Sequence, residues 1–258
     1  MDQNKHNLGI EDSFFTTNQI SKSYTLKFLK KQIKDSKIEK ILDFTVEDWI
    51  TDKHAIIDKI QKNFGKKQII IRSSALGEDS ISQSLAGNYE SVLNVDVTLK
   101  SQIQKGVKTV IESYSKKGNS NNNNLILIQT QTKNIKLSGV IFSRTADLGS
   151  PYYVINYDDQ SGLTDTVTSG LGEYANRTLY IHRNSIDKVR SERFIKLLQA
   201  VQELEKVAES EFLDIEFALG KDLKPYLLQV REITTQLSWN KVIIKQVDET
   251  LHGVHALV

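Results

Sequence analysis

The sequence predicts an α+β fold, and three observations predict it. Leu99–Tyr114 and Ser191–Ala208 carry apolar residues at helical spacing. Short runs rich in β-branched and aromatic residues recur through the rest of the chain, bounded by turn residues. These runs follow one another as hairpins instead of alternating strictly with helices, which argues against a doubly wound parallel sheet. At 258 residues the chain can bury a sizeable core in one large domain or in two lobes.

Residues 1–20 show no clear period and are expected to form a loose lead-in. From Lys22 the pattern is helical, with Leu26, Leu29 and Ile33 on one face. A second helix is expected from Asp52 to Phe64, with Ile56, Ile57 and Ile60 inward. Gly65-Lys-Lys should end it, because glycine suits a left-handed cap and cations suit a helix C-terminus. Ile69–Arg72 and Ser91–Val95 read as strands. The next helix should bury Leu99, Ile103, Val107, Val110, Ile111 and Tyr114. Gly118–Asn124 reads as an exposed polar loop, and a break between lobes is expected near 96–124. Strands follow at Leu125–Thr130, Ser138–Ser143, Tyr152–Tyr157 and Arg177–His182. The helix Ser191–Ala208 buries Phe194, Leu197, Leu198, Val201 and Leu204. Leu213–Leu219 and Pro225–Val230 then form an antiparallel pair about Gly220-Lys-Asp-Leu.

Composition narrows the function. With 34 basic and 32 acidic residues the net charge is +2, which provides no general attraction to nucleic acid or an anionic membrane; neither is expected as a partner. There is no cysteine, which excludes disulfides, thiolate catalysis and cysteine-bound metal centres. The N-terminus lacks the apolar stretch of a signal peptide, and no run approaches the roughly 20 residues of a membrane span, so a cytoplasmic location is expected. The five histidines show neither HxxEH nor HExxH spacing.

Four stretches could carry chemistry. Arg72, Ser73 and Ser74 end a β-branched run and precede a small-residue loop, Ser84 to Ser91, around Gly87. Arginine presents a fixed fork of donors to phosphate oxygens, and glycine lets backbone N–H groups approach them. An arginine at a strand end beside a serine-rich turn is the plainer reading, since no GxxxxGK[ST] motif is present. In the last strand pair, alternation puts Asp214 and Glu216 on one face with Gln229 and Arg231, and the apolar residues on the other. That polar face is either solvated or a site, and two carboxylates plus an amide oxygen suit magnesium. The stretch Asn156–Gly170 is dense in carboxylates, hydroxyls and glycine; it suits a phosphate or substrate loop, and turn chemistry alone also explains it. Lys22 starts the first helix, where a lone lysine is ordinarily just solvated.

Taken together these residues resemble the N-terminal nucleotide-binding domain of phosphoenolpyruvate synthase and pyruvate phosphate dikinase. The resemblance spans roughly 20–235. Its anchors are Ile-Arg-Ser-Ser-Ala75 with Glu78-Asp79, Leu-Ala-Gly87, Ser-Gly-Val-Ile-Phe142, and Asp-Ile-Glu216 followed by Leu-Gln-Val-Arg-Glu-Ile-Thr234. It implies an ATP-grasp fold, two lobes clasping the nucleotide, over residues 21–235, with 236–258 beginning a linker. It also implies roles. Lys22, Arg72 and Arg231 would act on the phosphates, and the loop with Ser84 and Gly87 would close over them. Gln129, Thr130 and Gln131 would meet adenine through their backbone. Glu216 and Gln229 would hold Mg2+, with Asp214 in support.

The chain departs from the family pattern at several places. Ile20-Ser21 stands where a glycine pair is usual, Ser143-Arg-Thr-Ala146 replaces Thr-x-Asp-Pro, and Arg231-Glu232 replaces Arg-Pro. Tyr157-Asp-Asp-Gln-Ser-Gly162 replaces a Gly-Leu-Gly-Glu context. These features are most similar to the subgroup of L-glutamine kinases of capsular phosphoramidate biosynthesis. The resemblance implies ATP as donor, a phosphohistidine domain in the same or a partner chain, and L-glutamine as final acceptor. Pyruvate, an antibiotic hydroxyl and a catalytically silent module are the alternatives. No Gly-Gly-x-x-Ser-His motif occurs, and His252 and His255 do not match it, so the expectation is one part of a longer or two-chain enzyme.

Overall fold

The computed structural model describes residues 14–16, 21–76, 89–164, 167, 177–233 and 245–251. Among them, nine strands form two antiparallel sheets. The first sheet has the order β1 (Ile41–Thr45), β4 (Leu125–Thr130), β2 (Gln68–Ser74), β3 (Ser91–Asp96). The second has the order β7 (Arg177–His182), β6 (Tyr152–Asp158), β5 (Leu137–Phe142), β8 (Leu213–Leu219), β9 (Pro225–Glu232). The expected mixed α+β class with hairpin connections is present.

Each sheet has its own core. Helices α2 (Val46–Phe64) and α3 (Lys100–Lys116) bury Ile57, Ile60, Ile103, Val107 and Val110 against Ile69, Ile71, Ile126 and Ile128 of the first sheet. Helix α4 (Glu192–Ala208) buries Phe194, Leu197, Leu198, Val201 and Leu204 against Ile141, Ile155, Ile215 and Phe217 of the second. Helix α1 (Lys22–Leu29) touches β1, β2 and β4 of one sheet and β9 of the other, and places Leu26 and Leu29 in the second core.

Several expectations need correction. Strand β1 was not foreseen; Asp43 interrupts its β-propensity, and only pairing with β4 reveals the strand. Helix α2 starts at Val46 because Thr45 and Asp48 form a reciprocal capping box. The expected start at Asp52 is a real second start: the backbone breaks there (φ −149°, ψ 81°), and Asp52 Oδ1 accepts from the Ala55 N–H at 2.9 Å. Leu99 stands at the N-cap of α3, 47% exposed, outside the apolar stripe.

The chain crosses between sheets at residues 131–136, not within 96–124, because β4 returns to the middle of the first sheet. The 118–124 loop is not wholly solvated. Asn124 is buried, its carbonyl accepts from Val46 and its side chain accepts from Leu76. Nor is the whole lead-in loose, since Phe15 is buried in the second core and Phe14 stacks on Phe28 at 4.1 Å.

Gly139 in Ser-Gly-Val-Ile-Phe142 has a packing reason. A Cβ there would lie 2.0 Å from the Asn156 backbone oxygen, so β5 and β6 could not pair as they do. Gly139→Ala should therefore lower the unfolding free energy by about 3 kcal/mol or prevent folding, checked by urea denaturation followed by circular dichroism.

Candidate functional site

The face of the first sheet that turns away from α2 and α3 is read from the strand registers. Asp43 lies opposite Leu127, and Leu127 lies opposite Arg72; one step along, Ile41, Gln129 and Ile70 form a second row. Ser74 belongs to the same face as Arg72 by alternation. In the second sheet, Glu216 lies opposite Gln229, and Asp214 opposite Arg231. Their neighbours Ile215 and Val230 point the other way, into the core with α4. The polar face expected from alternation is therefore a face turned toward the first sheet.

Arg72 spans the gap. Its guanidinium donates to Glu216 Oε2 at 2.8 Å and to the Leu228 carbonyl at 2.9 Å. Its side chain is only 12% exposed. Arg231 donates through Nε and Nη2 to a single Asp214 oxygen, Nε at 2.8 Å. Lys22, at the first position of α1, is buried. Burial pushes the Glu216 carboxyl up, but the Arg72 guanidinium, then the Lys22 ammonium and Arg231, outweigh it and hold the group below the usual carboxylate range. Asp214 goes the other way. Burial raises it, Arg231 opposes that, and the Glu216 charge adds to the rise. Five expected site residues, Lys22, Arg72, Asp214, Glu216 and Arg231, are thus within one electrostatic cluster, and Gln229 is buried beside Glu216.

The stretch expected to meet adenine, Gln129–Gln131, ends β4 and enters the crossing to the second sheet. Thr130 N–H donates to the Lys40 carbonyl at 2.9 Å, and Gln131 N–H donates to the Gln68 carbonyl at 3.0 Å. Both backbone donors are therefore engaged within the protein. The Gln131 side chain pairs with Asn94. By contrast the Gln129 carboxamide is buried with neither its nitrogen nor its oxygen bonded, and the Thr130 and Thr132 hydroxyls are likewise unpartnered. An orphaned buried amide costs about 1–3 kcal/mol, so a hydrogen-bonding partner there would be stabilising. Gln129 stands on the Arg72 face of the sheet.

Ser84 and Gly87 lie outside the described residues, as do Glu78, Asp79, Thr234, His252 and His255. The candidate loop after β6 is structural at its start: Asp158 accepts from Gln160 N–H, Ser161 N–H and the Ser161 hydroxyl, and Asp159 pairs with Arg177 and Arg193. Turn chemistry accounts for these first residues. Arg144, part of the departure Ser143–Ala146, holds Glu211 at 2.7 Å and Asp248 at 2.9 Å, so it fastens the helical segment 245–251 to the second sheet. Sequence reasoning missed Asp43, whose carboxylate accepts from Ser23 and Lys27. It faces the second sheet because Leu42 and Phe44, its neighbours, pack in the first core.

No helix among the described residues is long and apolar enough to cross a membrane. A D-alanyl-alanine synthetase A from Vibrio cholerae is 16% identical to this chain, with 89% of this chain and 60% of that one covered and a TM-score of 0.47. A D-Ala:D-Ser ligase from Enterococcus faecalis is 13% identical, with 90% and 60% covered and a TM-score of 0.48. A D-alanine–D-alanine ligase from Bacillus anthracis, complexed with ATP, is 13% identical, with 82% and 52% covered and a TM-score of 0.44. The chain spans about 60% of the length of the first two. No curated protein matches it.

The pH dependence follows from Glu216. Its folded value is depressed, so its stabilising contribution is full above the unfolded value of about 4.3 and is lost as pH falls through the lower folded value. Glu216→Gln should show a shallower loss of stability between about pH 5 and pH 3 than the wild type, measured by urea unfolding at each pH.

The AMP/ATP-binding domain of pyruvate phosphate dikinase matches residues 9–174, more than half of the chain, which covers the first sheet with Lys22, Arg72 and Gln129, and this chain belongs to that family.

Proposed function

We propose that the chain binds Mg-ATP between its two sheets and passes a phosphoryl group to a histidine on a separate domain, with L-glutamine as final acceptor. The observation that supports this reading is the gathering of Lys22, Arg72 and Arg231 around the Glu216 carboxylate, with Asp214 and Gln229 alongside. Phosphoryl transfer spreads negative charge over non-bridging oxygens, so fixed cations and positioning supply most of the catalysis. Arg72 and Glu216 neutralise each other in this structure. Nucleotide phosphates would draw the guanidinium away and leave the carboxylate for a cation.

The donor set fits magnesium. Glu216, Asp214 and the Gln229 amide oxygen are hard oxygen ligands at neighbouring register positions. Among the described residues no three His, Asp or Glu side chains form a cage, which suits an ion held largely by phosphate and water. When bound, the ion would neutralise charge developing on the phosphates. Gln129 would read the base, because a carboxamide matches adenine's adjacent donor and acceptor.

In the full reaction, ATP, L-glutamine and water give L-glutamine phosphorylated on its side-chain amide nitrogen, AMP and phosphate. Glutamine in particular is carried by the sequence resemblance, since the acceptor would meet the histidine domain.

Calorimetry should show ATP binding in the presence of magnesium; a folded protein that takes up no ATP would sink the reading and leave a silent module. In the intact enzyme, Arg72→Ala should reduce phosphohistidine formation about 10²–10³-fold. A wild-type level would remove Arg72 from the site. Phosphorus NMR with L-glutamine, pyruvate or a hydroxyl acceptor identifies the product.

A further inference from the structure

The geometry points to Asp43 as a positioning residue that holds Lys22 in the site by anchoring the first turn of α1 to the first sheet. The inference rests on the ATP-site reading above and adds a residue that neither the family match nor the strand motifs single out.

Asp43 lies in the row Asp43–Leu127–Arg72, on the face from which Arg72 reaches Glu216. One oxygen of its carboxylate accepts from the Ser23 hydroxyl, and the other from Lys27 Nζ at 2.5 Å. Ser23 is held a second time, since its backbone N–H donates to Ser74 Oγ at 2.9 Å. Ser23 is wholly buried, so these bonds do not compete with bulk water. Ser23 directly follows Lys22, and Lys27 is one turn further on. Asp43 therefore grips the helix at two successive turns, and a carboxylate beside a helix N-terminus is also favoured by the helix dipole.

The other end of α1 is held differently. Leu26 and Leu29 sit in the core of the second sheet. Apolar packing there fixes how deep the helix lies but leaves its tilt to the polar end. Asp43 and Ser74 set that tilt from the first sheet, where Arg72 also originates. The two cations that act most strongly on Glu216, Arg72 and Lys22, are thus referred to the same sheet. Losing Asp43 frees the Ser23 hydroxyl and Lys27 together, and the helix start can lift while its apolar end stays docked.

The test uses the full chain and two readouts. In the first, Mg-ATP affinity is measured by calorimetry for wild type, Asp43→Ala, Lys22→Ala and the double variant. Asp43→Ala should weaken binding about tenfold alone and add nothing once Lys22 is gone. Additive losses, or an unchanged affinity in Asp43→Ala, would overturn the inference. In the second, the rate of amine acetylation at Lys22 is followed by mass spectrometry without nucleotide, with exposed Lys108 as internal control. Lys22, 5% exposed, should react slowly in wild type and several-fold faster in Asp43→Ala; equal rates would overturn the inference. If wild type takes up no ATP, the ATP-site reading fails and the acetylation rates alone decide whether Asp43 holds Lys22. Should Asp43→Ala not fold, Asp43→Asn replaces it in both readouts; it keeps an acceptor for Ser23 and removes the negative charge that faces Lys27.

Discussion

The contact on which the site depends is the pair formed by Arg72 and Glu216 across the two sheets. Arg72 comes from the middle of one sheet and Glu216 from the middle of the other. Each is largely shielded from water, and neither could be left there alone without a cost of several kcal/mol. Arg72 also donates through Nη1 to the Leu228 carbonyl, so the pair is not a simple surface bridge. The Asp214–Arg231 pair completes the arrangement within one hairpin. Two pairs of opposite charge cancel in a small volume, and a charged ligand can take them apart only by offering equivalent partners.

That arrangement needs a rigid second sheet, and a chain of ion pairs behind it contributes. Tyr153 and Arg183 both bind Glu205 of α4, Arg183 also lies 3.4 Å from Glu211, and Arg144 joins Glu211 to Asp248. Burial raises the Glu205 carboxyl, and Arg183 opposes the rise. The guanidinium of Arg183 also lies over the Tyr153 ring, 4.7 Å from its centroid. Each of these charged groups has a partner within the network, as burial requires. Residues that looked like losses of family motif at 143–146 are thus committed to holding the sheet and the 245–251 segment together.

Much of this was legible in the chain. Strict alternation placed Asp214 and Glu216 on one face, and the register confirmed Gln229 and Arg231 as their partners. The stripes of α3 and α4 located both helices because several apolar residues repeat at the helical period. Strand β1 was not legible, since a mid-strand aspartate contradicts local preference and its justification is a helix twenty residues earlier in sequence. The asparagine loop read as solvent, yet Asn124 is buried because it closes the start of α2 and the end of β2. The backbone N–H groups of Thr130 and Gln131 are taken by neighbouring chain segments, and only three-dimensional packing shows that the Gln129 side chain is buried without a hydrogen bond.

The sequence by itself determined the α+β class, most element positions and the shared polar face of Asp214 and Glu216, because periodicity and charge are local properties. Only the tertiary structure decided that Arg72 meets Glu216 across 144 positions of chain, that Lys22 lies beside them, and that Asp43 holds the helix carrying it. Those facts depend on how two separately patterned sheets are set against one helix. No periodicity encodes that placement, because it is the joint solution of two cores and a shared set of buried charges.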